Sequence, residues 1–213
     1  MIRIGVLISG SGTNLQAIID ACNSGYIDGK VVVVISNKED AYGRVRARKA
    51  GIPEYYISHR GKSREEFEDE LIEVLEKYEV DLVALAGFMR ILSPHFVRRY
   101  YGRLMNIHPA LLPAFPGINV QEKQWEYGVK IAGCTVHFVD EGTDTGPIII
   151  QAAVPVYSDD TAEDVRLRIL EQEHKIYPLA IKLFAEGRLT IEGRRVIIQG
   201  EKKKGGFLMN PSE

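Results

Sequence analysis

A regular alternation of short apolar runs with helix signals through the first half of the chain constrains the fold more than any other feature. Ile2 to Ser9 reads as a buried strand, and Leu15, Ile18, Ile19 and Cys22 then recur at helical spacing behind Asn14, a residue suited to an N-cap. Val31 to Ser36 is a second, β-branched run, followed by a helix from Arg44 to Ala50 that Gly51 can end. Tyr55 to Ile57 gives a short third strand. Ser63 and Glu66 form an S-x-x-E capping box that opens an amphipathic helix reaching Tyr78. Leu82 to Ala86 is the fourth strand, and Ser93-Pro94 caps a further helix with proline in its first turn. Strands joined through crossover helices pair in parallel and are covered on both faces. The expected fold is α/β, a mostly parallel twisted sheet flanked by helices on both faces.

The second half continues the sheet with Leu104 to His108, Ile131 to Val139 and Pro147 to Val154. A long helix follows from Thr161 to Glu186, and a hairpin turns at Glu192-Gly193. No repeat or linker-like break interrupts this order, so residues 1–200 read as one domain with halves 1–100 and 101–200. Residues 201–213 read as a polar, mobile tail in which Lys202-Lys203-Lys204 is solvated.

A length of 213 residues allows a full core, and a net charge of -2 argues against a nucleic-acid surface made by bulk charge. Cys22 and Cys134 fit small buried residues in a reducing compartment better than a disulfide framework. The histidines at 59, 95, 108, 137 and 174 are scattered without metal-ligand spacing. Nothing resembles a secretory signal, and no run approaches the ~20 apolar residues of a membrane helix. The expectation is a cytoplasmic protein, a monomer or homodimer, with no metal, nucleic-acid or membrane partner.

In such sheets ligands bind beyond the carboxyl ends of the strands. Asn106-Ile107-His108-Pro109 ends one strand, and alternation puts Asn106 and His108 on the same face. A neutral amide donor beside an imidazole can stabilise a developing oxyanion and move a proton, and a nearby carboxylate favours the imidazolium. Those are parts for acyl transfer with no covalent enzyme intermediate. A hydrogen-bonded structural histidine fits the triplet as well. Gly10-Ser11-Gly12-Thr13-Asn14, between a strand and a helix, can aim backbone N–H groups at an anion. Leu15 stands where a GxGxxG motif needs its last glycine, Ser36-Asn37 replaces the acidic residue that would hold an adenosine ribose, and the P-loop lysine is missing. A phosphate monoester therefore suits this loop better than a dinucleotide, with a plain tight turn as the alternative. Gly87-Phe88-Met89-Arg90-Ile91-Leu92 is either a loop packed on the next helix or a slot for a flat heteroaromatic ring. Glu173 could hold a sugar hydroxyl or an amine, or be a solvated helix charge.

Together these stretches, with Gly133-Cys134-Thr135-Val136-His137-Phe138-Val139, Asp144-Thr145-Gly146-Pro147-Ile148-Ile149 and Gln172-Glu173-His174, resemble the folate-dependent phosphoribosylglycinamide formyltransferase family from Ile4 to about Arg188. The resemblance implies a Rossmann-like, phosphate-binding first half and a second half completing the folate and catalytic site. It implies a catalytic trio of Asn106, His108 and Asp144. Gly12, Thr13 and Asn14 would hold the substrate phosphate, and Glu173 the glycinamide ribotide. Arg64, Met89, Arg90, Ile91 and Leu92, with Asp140 and Glu141, would line the pocket of the co-substrate 10-formyltetrahydrofolate. The product would be formylglycinamide ribotide for purine biosynthesis. Asn119 and Gln121 depart from the His or Ala of many relatives, and Thr145 from a Gly found in some. These departures touch the rim of the site.

Related chemistries are weighed on the same residues. Methionyl-tRNA formyltransferase is expected to need an RNA-binding domain after the catalytic one, and formyltetrahydrofolate hydrolase a regulatory domain before it. A formyltransferase acting on another small amine, such as an amino sugar nucleotide, is the closer rival. A non-catalytic ribotide- or folate-binding protein would not require Asn106, His108 and Asp144 together.

Overall fold

The computed structural model describes residues 1–202, 206 and 208–211. Its first half is a succession of β1 (Ile2–Ile8), α1 (Thr13–Asn23), β2 (Gly29–Ser36), α2 (Tyr42–Lys49), β3 (Glu54–Tyr56), α3 (Arg64–Lys77), β4 (Leu82–Leu85) and α4 (Pro94–Arg99). The second half contains β5 (Leu104–His108), α5 (Val120–Tyr127), β6 (Ile131–Phe138), β7 (Ile148–Pro155), α6 (Ala162–Ala185), β8 (Leu189–Glu192) and β9 (Arg195–Ile198). Among the described residues the strands form one sheet in the order β3-β2-β1-β4-β5-β6-β7-β9-β8.

Strands β1 to β5 are mutually parallel, as the crossover helices require. Their β-branched and aliphatic side chains are buried on both faces. One face, with Ile4, Val6, Ile8, Val34 and Ala84, packs against Leu15, Ile18 and Ile19 of α1 and Val165, Ile169 and Ile181 of α6. The other, with Leu7, Val33, Ile35, Val83, Leu85 and Leu104, packs against Phe67, Leu71 and Leu75 of α3 and Phe96 and Val97 of α4. Tyr177 of α6 is fully buried, its hydroxyl 3.0 Å from Leu85 O and 3.1 Å from Met105 O, so it joins β4 to β5.

The sheet changes direction after β5. Strand β6 runs antiparallel to β5, with Asn106 opposite His137 and His108 opposite Thr135, and β7 runs antiparallel to β6. The carboxyl end of β6 therefore lies at the Leu104 end of β5, where Val139 N–H donates to Leu104 O at 2.9 Å. The loop that follows β6, Asp140 to Asp144, thus leaves from the opposite end of the sheet to the loop that follows β5.

Several local readings also change. Helix α1 starts at Thr13 on a left-handed Gly12 (φ 71), and Asn14 lies inside it, buried, rather than capping it. A Cβ on Gly12 would stand 2.5 Å from Gly43 Cα, so this turn admits only glycine. The capping box of α3 forms as read, and Thr161 with Asp164 builds a second at α6. Ser93 starts α4 without a side-chain cap bond. Helix α5 has no counterpart in the expected elements: its only buried residues are Val120 and Gln124, too few for an apolar stripe. In the tail, Lys203 and Lys204 lie outside the described residues. Lys202 is exposed, but Asn210 returns to the sheet, donating to Lys130 O at 2.9 Å and Val156 O at 2.8 Å. No helix among the described residues is long and apolar enough to cross a membrane.

Candidate active site

Alternation along β5 turns Met105 and Ile107 into the core packed by α1 and α6, and leaves Leu104, Asn106 and His108 on the opposite face. That face is covered by α3 and α4 over the parallel strands, and at β5 by the loops that follow β5 and β6. His108 is thus buried, only 3% exposed.

The hydrogen bonds settle the proton positions. His137 Nδ1 lies 2.8 Å from Phe138 O, an acceptor only, so Nδ1 carries the proton and Nε2 is an acceptor. Asn106 Nδ2 stands 3.3 Å from that Nε2 and donates to it, which orients the amide and leaves its second N–H without an acceptor among the described residues. Burial holds His137 below the ordinary histidine range, while the Phe138 carbonyl and Asp144 pull the other way. His108 Nε2 donates to Phe115 O at 2.8 Å, which turns Nδ1 toward Asp144 Oδ2 at 3.5 Å. The second Asp144 oxygen is 3.9 Å from His137 Nε2.

Asp144 is held from its own side. It adopts φ 54, a left-handed conformation that an aspartate accepts more readily than most residues, and Oδ2 receives Gly117 N–H at 2.8 Å. The loop after β6 must double back to reach His108. It can because Gly146 passes so close to β6 that a Cβ there would stand 1.8 Å from Phe138 O. Asn106, His108 and Asp144 are therefore one cluster, to which the structure adds His137, the Phe115 carbonyl and the Gly117 N–H. His137 lay within a quoted motif, but its approach to Asn106 depends on an antiparallel register that spacing does not encode. The other two groups are backbone and leave no residue signature.

At the first glycine turn, Gly12 and Thr13 open α1 with no side-chain cap on its first N–H groups. Arg46 Nε donates to Ser11 O at 2.8 Å and braces the turn from α2. Asn14 Nδ2 donates to Glu173 Oε2 at 2.8 Å, and Asn14 Oδ1 is buried with no hydrogen-bond partner among the described residues. Glu173 is 6% exposed, so the solvated-charge alternative fails. Burial pushes its carboxyl above the usual range, against Asn14 and Arg166, which lower it. A groove of about 860 Å³ beside this turn is lined by Thr13, Gln16, Arg46 and His174, and shares no residue with the Asn106–His108–Asp144 cluster.

In the third segment Met89 and Ile91 are each 64% exposed, and Arg90 and Arg64 are exposed beside them in sequence and on α3. Leu92 is buried among Phe67, Leu71 and Phe96, so it anchors the loop rather than forming its open wall. Asp140 accepts from Gly142 N at 3.0 Å and Thr145 Oγ1 at 2.6 Å, and Glu141 pairs with Arg98 at 2.6 Å. Both carboxylates thus fasten the loop that carries Asp144.

Residues 2–181 match the sequence model of the formyl transferase family. The chain is 48% identical over 209 residues to phosphoribosylglycinamide formyltransferase of Haemophilus influenzae, covering 97% of this chain and 99% of that one. It is 50% identical over 201 residues to the Escherichia coli protein of the same name, covering 94% and 95%. The crystal structure of glycinamide ribonucleotide transformylase 1 from Symbiobacterium toebii superposes with a TM-score of 0.91 and 60% identity, covering 93% of this chain and 94% of that one. The chain belongs to the formyl transferase family.

Proposed function

We propose that this protein transfers the formyl group of 10-formyltetrahydrofolate to the amine of glycinamide ribotide, through a tetrahedral intermediate and without a covalent enzyme adduct. The observation that carries this reading is the cluster in which Asn106 Nδ2 is oriented by His137 and Asp144 stands 3.5 Å from His108. No nucleophilic serine or cysteine belongs to it, which fits direct transfer.

The neutral amine nitrogen attacks the formyl carbon, and the carbonyl electron pair moves onto oxygen. The free N–H of Asn106 donates to that oxyanion, an interaction that contributes about 3 kcal/mol to lowering the barrier. His108, 3% exposed and 3.5 Å from Asp144, offers its ring to the same reacting centre in a site where electrostatic interactions act more strongly than in water. The attacking nitrogen then loses a proton, the bond to the folate N10 breaks, and N10 gains a proton. Asp144, beside His108 and fixed by Gly117, is placed to relay that proton between the two nitrogens. The uncapped N–H groups at Gly12 and Thr13 offer donors to the ribotide phosphate. The orphaned Asn14 Oδ1 and buried Glu173 offer acceptors to ribose hydroxyls. The exposed 89–91 segment would receive the folate ring, and Arg64 and Arg90 would offer positive charge to its anionic end.

The test is a formyl-transfer assay offering glycinamide ribotide against a panel of small amines that includes an amino sugar nucleotide. We expect kcat/KM for the ribotide to exceed the others by about 10³-fold or more, since a site built for polar groups rejects ligands that leave them unpaired. Equal or better turnover of the amino sugar nucleotide would overturn the assignment.

A further inference from the structure

The loop from Gly87 to Leu92 projects Met89, Arg90 and Ile91 into solvent, yet buried polar groups hold it at both ends. At the first end, Met89 N–H donates to Ser9 Oγ at 2.7 Å, and Ser9 Oγ donates to Asn37 Oδ1 at 2.6 Å. Ser9 and Asn37 are each 4% exposed. At the second end, Ser93 N–H donates to Glu68 Oε1 at 2.6 Å, and Ser93 Oγ donates to Glu68 Oε2.

Glu68 is the less expected of the two anchors. It is fully buried in α3, and among the described residues no basic side chain pairs with it and both of its hydrogen-bond donors come from Ser93. A carboxylate in such a place is costly unless its oxygens are satisfied. Ser93 also gives up its usual task, since it starts α4 without capping it and turns its hydroxyl to Glu68. Phe67, the neighbour of Glu68, stacks on Phe88 at 6.4 Å with the rings 9° from parallel. Arg64 lies one turn earlier on the same helix face. Helix α3 is thus the support on which this loop is mounted.

We propose that Glu68 is a positioning residue for the formyl donor. Through Ser93 it fixes the 87–92 loop in the shape that receives the folate ring, and it has no part in holding the amine substrate. The inference rests on the proposed function and adds a residue to it that does not touch either substrate.

Three variants test it, each assayed for tetrahydrofolate and ribotide binding by calorimetry, for kcat and KM, and for thermal melting. Glu68→Ala should weaken tetrahydrofolate binding by about tenfold and raise the KM of the donor similarly, because both Ser93 donors lose their acceptor. Its ribotide affinity should stay within about twofold. Glu68→Gln should restore donor binding, since an amide can accept Ser93 N–H and donate to Ser93 Oγ. If Glu68→Ala does not fold, Ser93→Ala, which removes one of the two hydrogen bonds, should show the same selectivity at about threefold. Unchanged tetrahydrofolate affinity in a folded variant, equal weakening of both ligands, or no rescue by Gln would each overturn the inference. A wild-type protein that does not bind tetrahydrofolate would overturn the underlying function instead, and this inference with it.

Discussion

Asp144 combines a left-handed backbone, a hydrogen bond from Gly117 and an oxygen 3.5 Å from His108. Asparagine accepts the same backbone conformation and can still receive the Gly117 N–H. Asp144→Asn should therefore melt close to wild type while turnover falls by about 10²-fold, the scale of a lost acid–base contribution. Stopped-time formylation assays beside melting curves check this, and a variant with full turnover would remove Asp144 from the proton relay. At this scale the sequence was informative where chemistry is carried by side chains on one strand. Asn106 and His108 share a face because they lie two apart, and no register is needed to see it. His137 needs the register, and the Phe115 carbonyl and Gly117 N–H have no side chain to read. Asn14 lies inside α1 and not at its cap because a good N-cap type can also serve as a buried donor, here to Glu173.

Elements were legible in proportion to their own local signals. Helix α3 carries a complete capping box, with Ser63 N–H donating to Glu66 and Glu66 N–H to Ser63 Oγ. It appears where it was read, as does α6. Helix α5 ends in a left-handed Gly128 cap, but with a left-handed Asn119 at its start and two buried residues it has no side-chain N-cap and no stripe, so its order comes from tertiary contact. Ser63→Ala should cost about 1 kcal/mol of stability, as loss of a capping serine does. Denaturant unfolding would show this as a lower midpoint at unchanged slope; an unchanged midpoint would mean the box adds nothing to α3. The sheet is mostly parallel as expected, and which strands depart from that was not legible. Apolar runs are alike in parallel and antiparallel strands, so the reversal at β6 left no mark.

Across the whole molecule, stability and the site are coupled through buried charge. Burial raises the Glu173 carboxyl above its unfolded value, so folding favours its protonated form. Its contribution to stability is thus greatest below the unfolded value of about 4.5 and declines as pH rises through the folded one. Glu173→Gln should melt above wild type at pH 7, with the gap narrowing toward pH 4, while ribotide affinity falls. Melts at both pH values with ribotide calorimetry decide it, and a gap that does not change with pH would show that Glu173 is not the group under strain. The parallel half of the sheet was readable from alternation alone. The contact of α1 with α6 was not, because it joins residues as distant as Asn14 and Glu173.

The position of Tyr177 has a consequence for how the chain is made. Its hydroxyl closes over carbonyls of β4 and β5, strands that leave the ribosome long before it. While translation is still short of α6, the face of Ile4, Val6, Ile8 and Ala84 has only α1 and α2 to cover it. A nascent chain must then hold its parallel strands together with the part of that face reserved for Val165, Ile169 and Ile181 of α6 open to water, and so to chaperones. Chains truncated before Thr161 should be digested quickly in pulse proteolysis, and chains that include all of α6 should resist. Protection of the shorter product would show that the first half closes its core without waiting for the last helix.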